Sequence, residues 1–86
     1  MGKHIVTVYP WEFDVIKDWD VNELRNRIWA FTQCNQSIPG CVSVEALRIE
    51  LVRRGETPNG YHEDAKDVDI SNIVIAKNTQ VKKRSR

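Results

Sequence analysis

The sequence predicts an α+β fold in which two amphipathic helices pack on a small two- or three-stranded antiparallel sheet. Three observations predict it. Residues 4–9 and 70–75 are rich in β-branched side chains, and between them two stretches space their apolar residues at the helical period. With 86 residues, 41% of them hydrophobic, the chain has room for one core and no second domain. That domain is expected to span residues 1–76, with 77–86 as a basic tail.

The first run, His4-Ile5-Val6-Thr7-Val8-Tyr9, alternates Ile5, Thr7 and Tyr9 against Val6 and Val8, the pattern of a strand with one face on a core. Pro10 then removes a ladder donor. Trp11, Phe13 and Val15 continue at every second position, which suits an edge strand or an extended crossing segment. The first helix begins at Asp20, where Asp20-Val21-Asn22-Glu23 has the form of an acidic capping box. Its stripe is Val21, Leu24, Ile28 and Phe31, with Trp29 off to one side. Pro39-Gly40 breaks the pattern.

Ser43 caps the second helix, and Gly55 stops it. Val44, Leu47 and Leu51 share one side, Ile49 and Val52 widen it, and Glu50, Arg53 and Arg54 face away. Arg48 falls inside the apolar arc, so its stem is expected to be covered and its head to reach Glu45. Thr57-Pro58-Asn59-Gly60 is a turn, and the acidic stretch through Asp69 has apolar residues enough for one short helical turn. Ile70, Ile73, Val74 and Ile75 form the closing strand, expected to pair with the first. A winged helix is the competing architecture, with residues 61–68 as third helix and the last strand in a wing. Glu63, Asp64 and Asp67 against Lys66 alone would put acid in the recognition helix, which a DNA groove repels.

The overall charge of +1 divides unevenly. Residues 76–86 carry five basic and no acidic residues, which leaves −4 for residues 1–75. A body of that sign repels phosphate and attracts a basic protein. No apolar run approaches the length of a membrane span, and the N-terminal residues lack the apolar region of a secretory signal. The expected location is the cytoplasm. There Cys34 and Cys41, separated by six residues, are expected as two small, partly buried free thiols, since their spacing suits no metal knuckle.

Reactive chemistry is poorly supplied. His62 beside Glu63 and Asp64, or a cysteine with His62, lacks an orienting third group. Asp64, Asp67 and Asp69 lack the spacing of a calcium loop, and the four glycines form no phosphate-binding motif. No catalytic residue, metal ligand or cofactor is therefore expected, and the chain is not expected to be an enzyme.

Residues 42–60 include Ser43 at a helix start, Leu47 and Leu51 four apart, and Arg54-Gly55 followed by Pro58 and Gly60. This segment resembles the first half of a SAP motif, the small helix-turn-helix element of DNA- and chromatin-associated proteins. The resemblance implies weak DNA binding. It departs at Glu56, where the motif has leucine, at Tyr61-His62, which displace its lysine, and in lacking a leucine-rich second helix.

Two functions follow. The favoured one is a protein-binding adaptor, inhibitor or regulator, its partner another protein or a second copy of the chain. Its surface would be aromatic and acidic, formed by Trp11, Trp19, Trp29, Asp14 and Asp18, since Trp anchors interfaces more often than most residues. The alternative is a nucleic-acid-associated regulator that contacts phosphates through Arg48, Arg53 and Arg54 and the tail residues Lys82, Lys83, Arg84 and Arg86.

Overall fold

The computed structural model describes residues 4–77. In chain order the elements are β1 (Val6–Val8), α1 (Pro10–Ile16), α2 (Val21–Cys34), a 3-10 turn (Pro39–Cys41), α3 (Val44–Arg53), a second 3-10 turn (Ala65–Asp67) and β2 (Ile73–Ile75). This is a compact α+β domain with three helices, and α3 lies at its centre, touching α1, α2 and β1.

Residues 10–18 are the main departure from expectation. They are not extended: Pro10 takes the first helical position, where its missing N–H matters least. Two residues on, Glu12 turns its carboxylate back to accept from the Tyr9 N–H at 2.9 Å. The every-second-residue pattern of Trp11, Phe13 and Val15 is a coincidence of helical geometry. At about 100° per residue, Glu12, Phe13 and Ile16 fall on one arc and Trp11, Asp14 and Val15 on the opposite one. The first arc is buried and the second exposed.

Glu12 is the one buried charged residue among those described, 4% exposed. Its Oε1 accepts from the Ser43 N–H at 2.7 Å and the Ser43 hydroxyl at 2.8 Å, while Ser43 Oγ accepts from the Ala46 N–H at 3.3 Å. One carboxylate thus joins the start of α1 to the N-cap of α3.

In α2, Asp20 caps as expected, accepting from the Glu23 N–H at 2.7 Å, and Leu24 and Ile28 are fully buried. Phe31 does not continue the core stripe. It is 43% exposed, and Ala30 takes the buried position in the last turns. Asn35, with φ 59°, ends the helix in the left-handed conformation. Cys34 and Cys41 are both exposed rather than partly buried, because neither side chain falls on the faces that Leu24, Ile28, Ile38 and Val42 bury.

α3 buries Val44, Ala46, Leu47 and Leu51. Its C-terminus closes with Gly55 at φ 86° and the Glu56 N–H donating to the Leu51 carbonyl at 2.8 Å. Arg48 does not turn to Glu45. Its guanidinium makes a two-pronged pair with Glu63, 2.8 and 3.1 Å, and donates to the Pro58 carbonyl at 3.2 Å. The Gly60 N–H also donates to Glu63, at 2.7 Å. Arg25 holds the same loop from α2, donating to the Thr57 and Asn59 carbonyls at 3.2 and 2.6 Å. Gly60 is obligatory there, since a Cβ would sit 2.6 Å from Ile28 Cγ2.

The sheet has two strands, and they run parallel, not antiparallel: Val6 pairs with Ile73, Thr7 with Val74 and Val8 with Ile75. The crossover through three helices returns the chain beside its own start, where Asn72 Nδ2 donates to the His4 carbonyl at 2.7 Å. That end of β1 is also where β2 begins, with the Val6 N–H on the Asn72 carbonyl at 3.0 Å. The parallel sense excludes the winged-helix alternative, whose last strand belongs to an antiparallel hairpin. Residues 61–68 hold a single 3-10 turn in place of a third helix.

Two predictions test these ties. Glu12→Gln places an amide nitrogen among hydrogen-bond donors, and is expected to lower the unfolding free energy by about 2 to 3 kcal/mol at unchanged denaturant slope. A urea midpoint equal to that of the parent would show that Glu12 does not join α1 to α3. For Glu63, the Arg48 guanidinium and then the Gly60 N–H hold the carboxyl below its ordinary value of 4.5, although partial burial pushes the other way. A carboxyl lowered in the folded state adds stability above its unfolded value, and that stability is lost as pH falls through the folded value. Glu63→Gln should therefore be less stable than the parent at neutral pH but lose less of its stability on acidification below about pH 4.5. Equal acid slopes in urea titrations at stepped pH would contradict the pairing.

Candidate protein interface

A helix of seven residues is too short to persist alone, and α1 is held from three sides. Glu12 fixes its N-terminus to α3, as described. At its C-terminus Arg54 donates to the Ile16 and Lys17 carbonyls at 3.3 and 3.2 Å, while a 2.8 Å bond to Glu50 keeps the guanidinium aimed. Along its flank, the Arg53 guanidinium lies 4.6 Å from the Phe13 ring centroid. Gly40 approaches Val15 so closely that a Cβ would lie 2.7 Å from Val15 Cγ1. Phe13 and Ile16 complete the attachment from within the core.

What this arrangement presents outward is the opposite arc. Trp11 is 38% and Val15 39% exposed, one helical turn apart and therefore neighbours on the surface. Asp14 lies beside them and Asp18 follows in the turn after α1, both exposed. Tyr9, immediately before the helix, is also exposed. The result is an apolar strip edged with carboxylates on a rigidly mounted helix.

Of the five residues expected at a protein interface, Trp11, Asp14 and Asp18 therefore share this face. Trp19 does not lie on it: the ring is half-buried and packs against the core. Trp29 lies on α2, half-buried beside His62, with ring centroids 6.2 Å apart. His62 sits in the loop next to Tyr61, whose hydroxyl donates to Asn22 Oδ1 at 2.7 Å. Val15 belongs to the face and was not among the expected residues. Its signal in the sequence is its position four after Trp11, informative once residues 10–16 are known to be helical.

The arginines named for phosphate binding are largely engaged within the fold. Arg48 is paired with Glu63, its side chain 13% exposed. Arg54 is paired with Glu50 and bonded to α1 carbonyls. Arg53 is the most exposed of the three, 3.8 Å from Glu50 and stacked on Phe13. Lys82, Lys83, Arg84 and Arg86 lie outside the described residues. Among the described residues, no three histidine, cysteine, aspartate or glutamate side chains group as a metal site, and no pocket is found. None of their helices is long and apolar enough to cross a membrane.

Compared with protein-family models, with curated proteins and with solved structures, the chain gives no match.

Proposed function

We propose that this chain is a non-catalytic protein-binding module, an adaptor, inhibitor or regulator, that engages its partner through the exposed face of α1. The observation that carries the reading is the juxtaposition of Trp11 and Val15 with Asp14 and Asp18 on a helix fixed at both ends. Trp11 supplies apolar area and an indole N–H, and tryptophan is among the residues that most often dominate interface energetics. Asp14 and Asp18 select against acidic partners and favour a cationic one, in keeping with the charge of −4 over residues 1–75. The partner that fits is a basic protein segment with an aliphatic or aromatic side chain to lie against Trp11 and Val15. The nucleic-acid reading draws less support, since Arg48 and Arg54 have carboxylate partners inside the domain.

Selection of random displayed peptides against the full chain tests the reading. Enriched peptides should carry Lys or Arg around an apolar residue. Their affinity should fall about tenfold or more with Trp11→Ala and with Asp14→Lys combined with Asp18→Lys. The reading fails if no enriched peptide is sensitive to these changes. It fails in favour of nucleic acid if the chain is retained on a DNA duplex at about 0.15 M salt and Arg53→Ala abolishes retention.

A further inference from the structure

β2 pairs with β1 on one side, and its other side is an open edge. β1 takes the peptide groups of residues 72, 74 and 76. The Val6 N–H donates to the Asn72 carbonyl at 3.0 Å and the Ala76 N–H to the Val8 carbonyl at 2.9 Å, with the groups of Val74 facing the same way between them. The groups of Ile73 and Ile75 therefore point outward. The Ile73 N–H turns back to the Ile70 carbonyl at 3.1 Å. The Ile73 carbonyl, and both the N–H and the carbonyl of Ile75, have no partner among the described residues. Open groups in such a row are a template for another strand. The side chains agree, since Val74 on one face of the sheet is 45% exposed and Ile75 on the other 48%. The outer side of β1 offers less: the Tyr9 N–H belongs to Glu12, and Pro10 at once turns the chain into α1.

The edge is complementary to itself. Asp67 and Asp69 precede β2 and Lys77 follows it, all exposed, so the strand runs from an acidic end to a basic one. Two copies side by side in opposite directions bring each basic end toward the other's acidic end, whereas a parallel arrangement sets like charge against like. With a two-fold axis at Ile75, each Ile75 N–H donates to the other copy's Ile75 carbonyl, and each Lys77 N–H to the other copy's Ile73 carbonyl. That register uses every group left open above. It also sets Ile75 against its own counterpart, Val74 across from Ala76, and the Lys77 stem along Ile73.

From this edge we infer that the chain self-associates through β2, so that the two-stranded sheets of two copies join into one, in the order β1-β2-β2-β1. A strand edge is smaller than the about 1,200 to 2,000 Å² of standard interfaces, so monomer and dimer exchange, with half-association at roughly 0.1 mM. The inference goes beyond the reading of α1 and does not rest on it, because no residue of the edge belongs to the α1 face.

The test uses the full chain from about 10 µM to about 1 mM. Its mass by sedimentation is expected to rise from 10.0 kDa toward twice that value, and the Ile75 and Lys77 amide resonances should shift along the same concentration curve. Ile75→Pro removes an N–H that β1 does not use, and should hold the mass at that of a monomer throughout. Lys77→Glu, at an exposed position, should weaken association about tenfold by setting acid against acid.

A parent that stays monomeric at about 1 mM would overturn the inference. So would a folded Ile75→Pro variant, its urea midpoint close to the parent's, that associates as the parent does. If that variant does not fold, Lys77→Glu decides, and undiminished association would sink the antiparallel edge. Concentration-dependent shifts at Trp11 and Val15 in place of Ile75 and Lys77 would move the self-contact to α1. A monomer whose Ile75 and Lys77 amides shift with a displayed-library peptide would give the edge to a foreign strand, again against the inference. The α1 reading is judged apart from all of these, by peptides that depend on Trp11, Asp14 and Asp18.

Discussion

The Glu12 carboxylate is the constraint on which the arrangement of this small domain depends. It is buried, and three donors meet it: the Tyr9 N–H on one oxygen, and the Ser43 N–H and hydroxyl on the other. Two of those are backbone groups at helix starts, which have no partner within their own helix. A single side chain thereby satisfies the opening of α1 and, through Ser43, orders the opening of α3. Removing it would leave these partly buried donors without this acceptor, a larger loss than the net worth of the bonds themselves. α1 enters the fold at the angle it does because its third residue must reach Ser43.

A second polar network fixes the other side of the molecule. Arg25 from α2 and Arg48 from α3 both reach into the loop around residues 56–63, taking its carbonyls and Glu63 as partners. That loop has few apolar side chains to anchor it, so guanidinium groups with five donors each do what a hydrophobic contact would do elsewhere. The consequence for function is electrostatic. Arg48 and Arg54 each face a carboxylate, whereas Asp14 and Asp18 lie exposed on the outer arc of α1. A balanced set of internal pairs leaves acid as the sign presented beside Trp11.

The parts of the fold legible in the sequence were those with strong local signals. Asp20 and Ser43 announced their helices as caps, and Leu24, Ile28, Leu47 and Leu51 announced their buried faces. α1 was hidden because seven residues hold less than two full periods, so Trp11, Phe13 and Val15 satisfied a strand pattern as well as a helical one. The decisive signal was Pro10 with an acid two positions later, a helix-opening pair that apolar periodicity does not weigh. The sense of β2 was not legible at all, because local pattern states that a strand exists but not from which end it joins its neighbour. That was decided by tertiary contacts such as Asn72 on the His4 carbonyl. On the proposed interface, Trp11, Asp14 and Asp18 were singled out by residue type alone. Their separation from Trp19 and Trp29 required knowing which helix face each occupies.

The way α1 is mounted bears on what its outer face can do. A short helix that formed only on meeting a partner would lose conformational entropy at that moment, on the order of 1 to 2 kcal/mol for each ordered residue, and affinity would fall accordingly. Here that ordering belongs to folding. Glu12 holds the first turn, Arg54 caps the last carbonyls, Arg53 lies over Phe13, and Gly40 presses on Val15 from the side. Trp11 and Val15 are thus displayed at fixed spacing, as the proposed interface requires. Rigidity of this kind makes a modest apolar strip worth more than its area suggests.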